Sequence, residues 1–269
     1  MKKFSSFLVM ACLASLCMVF TACDKDKDKD KDGDGSGTTV NSSVIEAKNV
    51  IGGNSYTTRV DAEVYDYDAD TYVSIATSPY QNKGFKLTLP GNLNVKYLES
   101  IGDLFDADNT DEIKISDKNA KGCLLEDFCA YDKNDNYGGY FYFGDTYEGM
   151  TEMSVHYVVW IYVDRDVTVK GTQSEYDGDE DIIITINATA NLNLKKGWNV
   201  VYNSVIAKYN FSSSPVTVTM EVTMTNKKPS SANLKWYFGN DRKKSTKGED
   251  NLKFGKLLQR NVSKILTQN

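Results

Sequence analysis

The chain has 269 residues, with 31 Lys and Arg against 37 Asp and Glu, a formal net charge of −6 and a hydrophobic content of 41 %. That acidic balance disfavours nucleic acid as a partner, because such a partner calls for a basic face. The length admits one large domain or two small ones, and the single histidine leaves little room for chemistry built on imidazole.

Residues 1–22 read as a secretory signal. Lys2 and Lys3 form a short basic start, residues 4–20 are almost wholly apolar, and Thr21 and Ala22 are small residues at a cleavage position. The apolar run is at or below the roughly 18 residues needed to span a bilayer, and polar sequence follows at once. A cleaved signal is therefore expected rather than a membrane anchor. Lys2 and Lys3 are the only charged residues it removes, so the remainder carries 29 basic and 37 acidic residues, a balance of −8.

Cys23 ends the apolar segment and opens the run DKDKDKDKDGDGSG. Alternating unit charges with glycine and serine cannot bury apolar surface, so residues 23–40 are expected to be a solvated, disordered tether. Asp30, Asp32, Asp34 and Gly35 fit the start of a calcium loop. The twelfth position is Asn41, where a bidentate glutamate is needed, so no metal is expected there.

Phe20-Thr21-Ala22-Cys23 resembles the lipobox of bacterial lipoproteins, with Phe20 where leucine is commoner. The resemblance implies that Cys23 is lipidated by palmitate-type acyl chains, becomes the first residue of the mature protein and holds it to a membrane. Each buried methylene contributes about 0.8 kcal/mol to that anchorage. Charged stretches after such a cysteine resemble the export signals of Bacteroidota surface lipoproteins, which implies the outer membrane and its outward face. An aspartate directly after the cysteine resembles an inner-membrane retention signal of other bacteria, so leaflet and face stay open.

The body, residues 41–238, reads as all-β. Val60, Ala62 and Val64 alternate with Asp61 and Glu63. Strands are expected next at 72–76 and 85–89, the second stopped by Pro90-Gly91, then at 140–143 and 157–169. In 182–194 the even positions are Ile182, Ile184, Ile186, Ala188, Ala190, Leu192 and Leu194, while Thr and Asn occupy most odd positions. One face is buried and one is wet. Lys195-Lys196-Gly197 reads as a turn leading to a return strand at Trp198, Val200 and Tyr202. Val216, Val218, Met220, Val222 and Met224 repeat the alternation. The one helix-like stretch, 97–105, is short. These features predict an antiparallel β-sandwich of the immunoglobulin- or transthyretin-like kind, as one domain or two small β subdomains.

Cys123 and Cys129 lie six apart in GCLLEDFC. Export permits a structural disulfide between them; two free, packed thiols are the alternative. Without nearby histidines they make a poor zinc site. His156 sits among strand residues, and no nucleophile elbow, zinc-protease helix or phosphate-binding loop is present. No cofactor and no catalytic residue is expected.

Three segments mix aromatics with acids and amides: YDYDADTY (65–72), AYDKNDNYGGY (130–140) and EYDGDED (175–181). Flat rings stack on sugars and carboxylates bond their hydroxyls, so Tyr65, Tyr67, Tyr72, Tyr131, Asp132 and Tyr137 are candidate glycan-binding residues. The same residues also make ordinary turns.

GFKLTLP, VDRDVTVKG, and LNLKKGWNVVY followed by LKWYF resemble cell-surface lipoproteins of Bacteroides and its relatives. The resemblance spans residues 44–238, implies an all-β surface domain and carries no catalytic residues. The tail, 239–269, holds eight basic and three acidic residues, with Phe254, Leu257, Leu258, Val262, Ile265 and Leu266 at helical spacing. A short amphipathic helix on an anionic membrane, docking on the acidic body, and fraying all fit it. The expected function is a non-enzymatic surface lipoprotein, bound to the membrane through Cys23 and engaging a glycan or an envelope or host protein. A hydrolase using two carboxylates is the alternative.

Overall fold

A computed structural model describes residues 43–53, 55–105, 112–125, 128–178 and 182–239. The signal, Cys23, the tether and the tail from residue 240 lie outside the described residues. No helix among the described residues is long and apolar enough to cross a membrane.

The described chain is all-β. In order it forms β1 (Val44–Ala47), β2 (Arg59–Asp66), β3 (Thr71–Pro79), β4 (Phe85–Thr88), a 3₁₀ turn (Val95–Tyr97), β5 (Glu99–Ser100) and α1 (Ile101–Leu104). It continues with β6 (Ile113–Ile115), β7 (Lys121–Leu125), β8 (Phe128–Tyr131), β9 (Tyr137–Glu148) and β10 (Glu152–Val163). The last five strands are β11 (Val167–Gly178), β12 (Ile182–Leu194), β13 (Gly197–Asn210), β14 (Val216–Thr225) and β15 (Lys235–Gly239). The strand expected over 157–169 is two, broken at Asp164–Asp166, where Asp166 Oδ1 accepts from Lys196 N at 2.9 Å. The helix-like stretch is a single turn, capped by Ser100 Oγ on Gly102 N.

β1 and β4 form a small antiparallel sheet. The other thirteen strands share one sheet, whose main path runs β3-β2-β8-β9-β10-β13-β14-β12-β11-β6. It folds into sandwich layers because β9 and β10 each change neighbours along their length. The first half of β9 pairs with β8 and β15; its last residues pair with the start of β10. The far end of β10 pairs with β7, while β13 follows its whole length.

Two hydrophobic cores result, one on each face of β10. Its odd residues, Met153 to Val163, enter an aliphatic core with the inward rows of β12, β13 and β14. Its even residues Val158, Trp160 and Tyr162 enter a second core rich in rings, with Phe85, Phe128, Phe141, Phe143, Trp198 and Trp236. Trp160 stacks on Trp236 at 6.2 Å and meets Phe128 edge-on at 5.3 Å. A strand buried on both faces reads as a continuous apolar run rather than an alternation, which is the character of VHYVVWIYV.

The return strand after Lys195-Lys196-Gly197 departs from the simple hairpin. Gly197 does take a positive φ of 98°, as the turn requires, yet β12 and β13 do not pair. β14 slots between them, antiparallel to β13 and parallel to β12. Asn226, just past β14, ties its flanks: its Oδ1 accepts from Asn193 N at 2.7 Å and its Nδ2 donates to Val200 O at 3.3 Å.

The cysteine pair is a correction. No disulfide joins Cys123 and Cys129. Cys123 points into the ring-rich core, whereas on β8 it is Phe128 and Ala130 that do so. Period-two alternation therefore turns Cys129 to the opposite face. Burial pushes the Cys123 thiol up to about 12.

Candidate functional site

On β2, Val60, Ala62 and Val64 fill the ring-rich core, so Arg59, Asp61, Glu63 and Tyr65 face outward. Register places Tyr72 of β3 opposite Tyr65, and Tyr131 of β8 opposite both Arg59 and Tyr137 of β9. The predicted tyrosines therefore fall on one outer sheet face, but in two clusters with different surroundings.

Around Tyr131 every group is engaged within the protein. The Arg59 guanidinium lies 4.7 Å over its ring, a cation–π contact, and Tyr137 meets it edge-on at 6.0 Å. Its hydroxyl donates to Glu63, and Tyr131 is only 8 % exposed. Burial, then the Glu63 contact, raises its phenol above the ordinary range. Arg59 is in turn held by Asp61 at 3.0 Å and by Asp135, and Asp61 accepts from Thr77 at 2.7 Å. Asp132 organises its own turn: Oδ1 accepts from Asn134 N at 2.7 Å and Asn136 N at 2.9 Å, and Oδ2 from Asn136 Nδ2 at 3.0 Å. The Asn136 side chain leads in lowering its pKa. Tyr131 and Asp132 act here as structural residues.

The second cluster sits at the tip of the β2–β3 hairpin. Tyr65 is braced edge-on by Tyr67 at 5.1 Å and Tyr72 at 5.2 Å, and its hydroxyl donates to Asp70. Tyr67 is 37 % and Tyr72 47 % exposed. The tip is fixed by Asp66, whose Oδ1 accepts from Asp68 N and Ala69 N, each at 3.1 Å. Its Oδ2 accepts from Lys96 Nζ at 2.7 Å, and that contact leads in holding the Asp66 carboxyl below its usual range. Tyr67 N donates to Lys96 O at 3.0 Å, and the Lys96 ammonium lies 4.9 Å from the Tyr97 ring centre. Burial, with the Glu99 carboxylate bonded to its hydroxyl, raises the Tyr67 phenol above the ordinary range. The arrangement offers two partly open rings, splayed about a third, with the carboxylates of Asp68 and Asp70 on the same turn.

Sequence reasoning missed Lys96 and Glu99, which reach the hairpin from the 3₁₀ turn and β5. It also missed Tyr140, Tyr142 and Tyr237, which share the outer face. Tyr142 and Tyr237 stack at 5.3 Å with planes 16° apart, and burial pushes the Tyr142 phenol up to about 12. The alternation in YFYF and WYF, with Phe141, Phe143 and Trp236 inward, was the available signal.

His156 lies buried on β10, with Asp145 and Ser204 as its cross-strand neighbours. Burial lowers its pKa, and its Nδ1 has no hydrogen-bond partner. No acid therefore orients the imidazole through Nδ1. No group of three or more His, Cys, Asp or Glu among the described residues is placed to hold a metal ion. Comparison with protein-family models, curated proteins and solved structures finds no match.

Proposed function

We propose that this protein is a non-enzymatic, lipid-anchored surface protein that displays its β-sandwich on the charged tether and captures a glycan at the tip of the β2–β3 hairpin. The observation that carries the glycan reading is the Tyr65–Tyr67–Tyr72 cluster, in which Tyr67 and Tyr72 are 37 % and 47 % exposed and hydrogen-bonding carboxylates adjoin the rings. Amphipathic rings held at low entropic cost make effective binding anchors. The anchoring reading rests on the lipobox-like Phe20-Thr21-Ala22-Cys23 and the charged run behind it, and it puts the protein at the outer membrane, facing outward. On the outer face, Asp61, Glu63 and Asp135 already bond Arg59, Thr77 or Tyr131. That favours capture over hydrolysis by a carboxylate pair.

The test is a glycan array probed with the chain from residue 38, alongside its Tyr67→Ala/Tyr72→Ala variant. Binding by the parent and its loss in the variant is the expected outcome. A parent that binds no glycan sinks the glycan reading and leaves a protein ligand. Anchoring is tested separately: labelled palmitate should incorporate into the chain and not into Cys23→Ser, and equal incorporation refutes it.

A further inference from the structure

We propose that β3 is an interface through which two copies of this chain join edge to edge, extending the large sheet across a two-fold axis. This goes beyond glycan capture and does not depend on it.

β3 is one end of the main strand path. One side pairs with β2 from Thr71 to Pro79, interrupted by a bulge at Ile75. On the other side no described strand pairs with it. β4 follows through a hairpin closed by Gln81 and Gly84, but it pairs with β1. It meets β3 at one end, where Lys86 N donates to Ser78 Oγ at 3.3 Å. Among the described residues, the backbone of residues 73–77 is thus an open edge.

Proteins blunt such edges with short strands, lysines, prolines or a covering segment. The opposite end of the path obeys this: β6 has three residues with Lys114 at its centre. The outer side of β15 is covered by Ile51, which donates to Trp236 O at 2.8 Å and accepts from Phe238 N at 2.9 Å. β3 has nine residues, TYVSIATSP, with no charge and its one proline at the far end. Its single guard is a bulge opposite Ala62 and Glu63.

The core beneath is also unfinished at this rim. On β2 the inward Val60, Ala62 and Val64 are 0 %, 0 % and 1 % exposed. On β3, Val73, Ile75 and Ala76 pack on the same core but are only partly buried. A strand added here completes their burial.

The occupant is a second copy. A two-fold interface presents the same patch from both sides, so it must be self-complementary. An uncharged strand with a half-buried apolar row meets that condition, since two copies bring no like charges together and each covers the other's row. It also gives a charged partner strand nothing to recognise.

The test is sedimentation velocity of the full chain in detergent, with amide exchange read at residues 73–77. The expected result is a concentration-dependent dimer in which those amides slow. Ser74 is exposed on β3, and its hydroxyl bonds only Ala76 O, at 3.2 Å. Ser74→Lys and Ser74→Glu should each weaken self-association by about tenfold or more, while their unfolding midpoints move in opposite directions, because position 74 stands opposite Glu63. Mixing the two variants should restore association, which a folding defect would not allow. A chain that stays monomeric at every concentration overturns the proposal. So does a dimer indifferent to both substitutions. Protection of residues 73–77 that appears only when another envelope protein is added assigns the edge to a foreign strand and overturns it as well.

Discussion

Two tyrosine clusters share one sheet face and nearly the same composition, yet they stand in opposite positions. At Tyr131 the ring is covered by Arg59 and the hydroxyl is taken by Glu63. At Tyr67 and Tyr72 the rings touch Tyr65 by their edges and keep much of their area in solvent. What separates a packing residue from a binding residue is what lies over the ring, and that is decided by side chains from other strands.

The largest way to break the comparison is to remove the packed ring. Tyr131→Ala leaves a cavity and strips Arg59 and Glu63 of a partner, so we expect a loss of about 3 kcal/mol in urea unfolding. A loss below about 1 kcal/mol would mean that Tyr131 is not the packing residue described here. The matching change at the hairpin tip, Tyr67→Ala/Tyr72→Ala, should cost under about 1 kcal/mol of stability and about 2 kcal/mol or more of glycan affinity. The reverse ordering would exchange the roles of the two clusters.

A subtler separation uses pH. The Asp66 carboxyl is held below its ordinary value of 3.8, first by Lys96 and then by the amides of Ala69 and Asp68. Its contribution is therefore present above that value and is lost as pH falls through the depressed folded value. Exchange of the Asp68 and Ala69 amides should accelerate on acidification, and in Lys96→Met the acceleration should begin at a higher pH. The Asp132 turn, held by Asn136 and its amide, should titrate identically in both proteins. The smallest effect concerns the thiols behind these faces. Both should be recovered unpaired by mass spectrometry, and Cys129 should alkylate before the buried Cys123, whose pKa is pushed up to about 12. A Cys123–Cys129 bridge would refute their placement on opposite faces.

Much of the fold was legible because alternation survives in sequence. The even rows of β12 and β14 are inward as read, and the hairpin bearing Tyr65 and Tyr72 lies where Val60 to Ala76 predicts it. Pairing was less legible. Nothing local to Lys195-Lys196-Gly197 says that β14 will enter between β12 and β13, since that choice depends on Val216–Thr225 finding an apolar row on both neighbours. The cysteine spacing suggested proximity, but consecutive strands that pair with different neighbours and turn the two thiols to opposite faces defeat spacing alone. Of the site, the tyrosine chemistry was legible and its accessibility was not. Lys96 lies thirty positions from Asp66, and Arg59 lies far along the chain from Tyr131. Only the folded register brings each to its partner.

The most direct test of the hairpin site is side-chain NMR of the tyrosine rings during titration with an oligosaccharide that the protein retains. The account predicts that ring resonances of Tyr67 and Tyr72 shift on binding, with Tyr65 following, while those of Tyr131 and Tyr137 stay in place. Shifts confined to Tyr131 and Tyr137, with the hairpin rings unmoved, would contradict it.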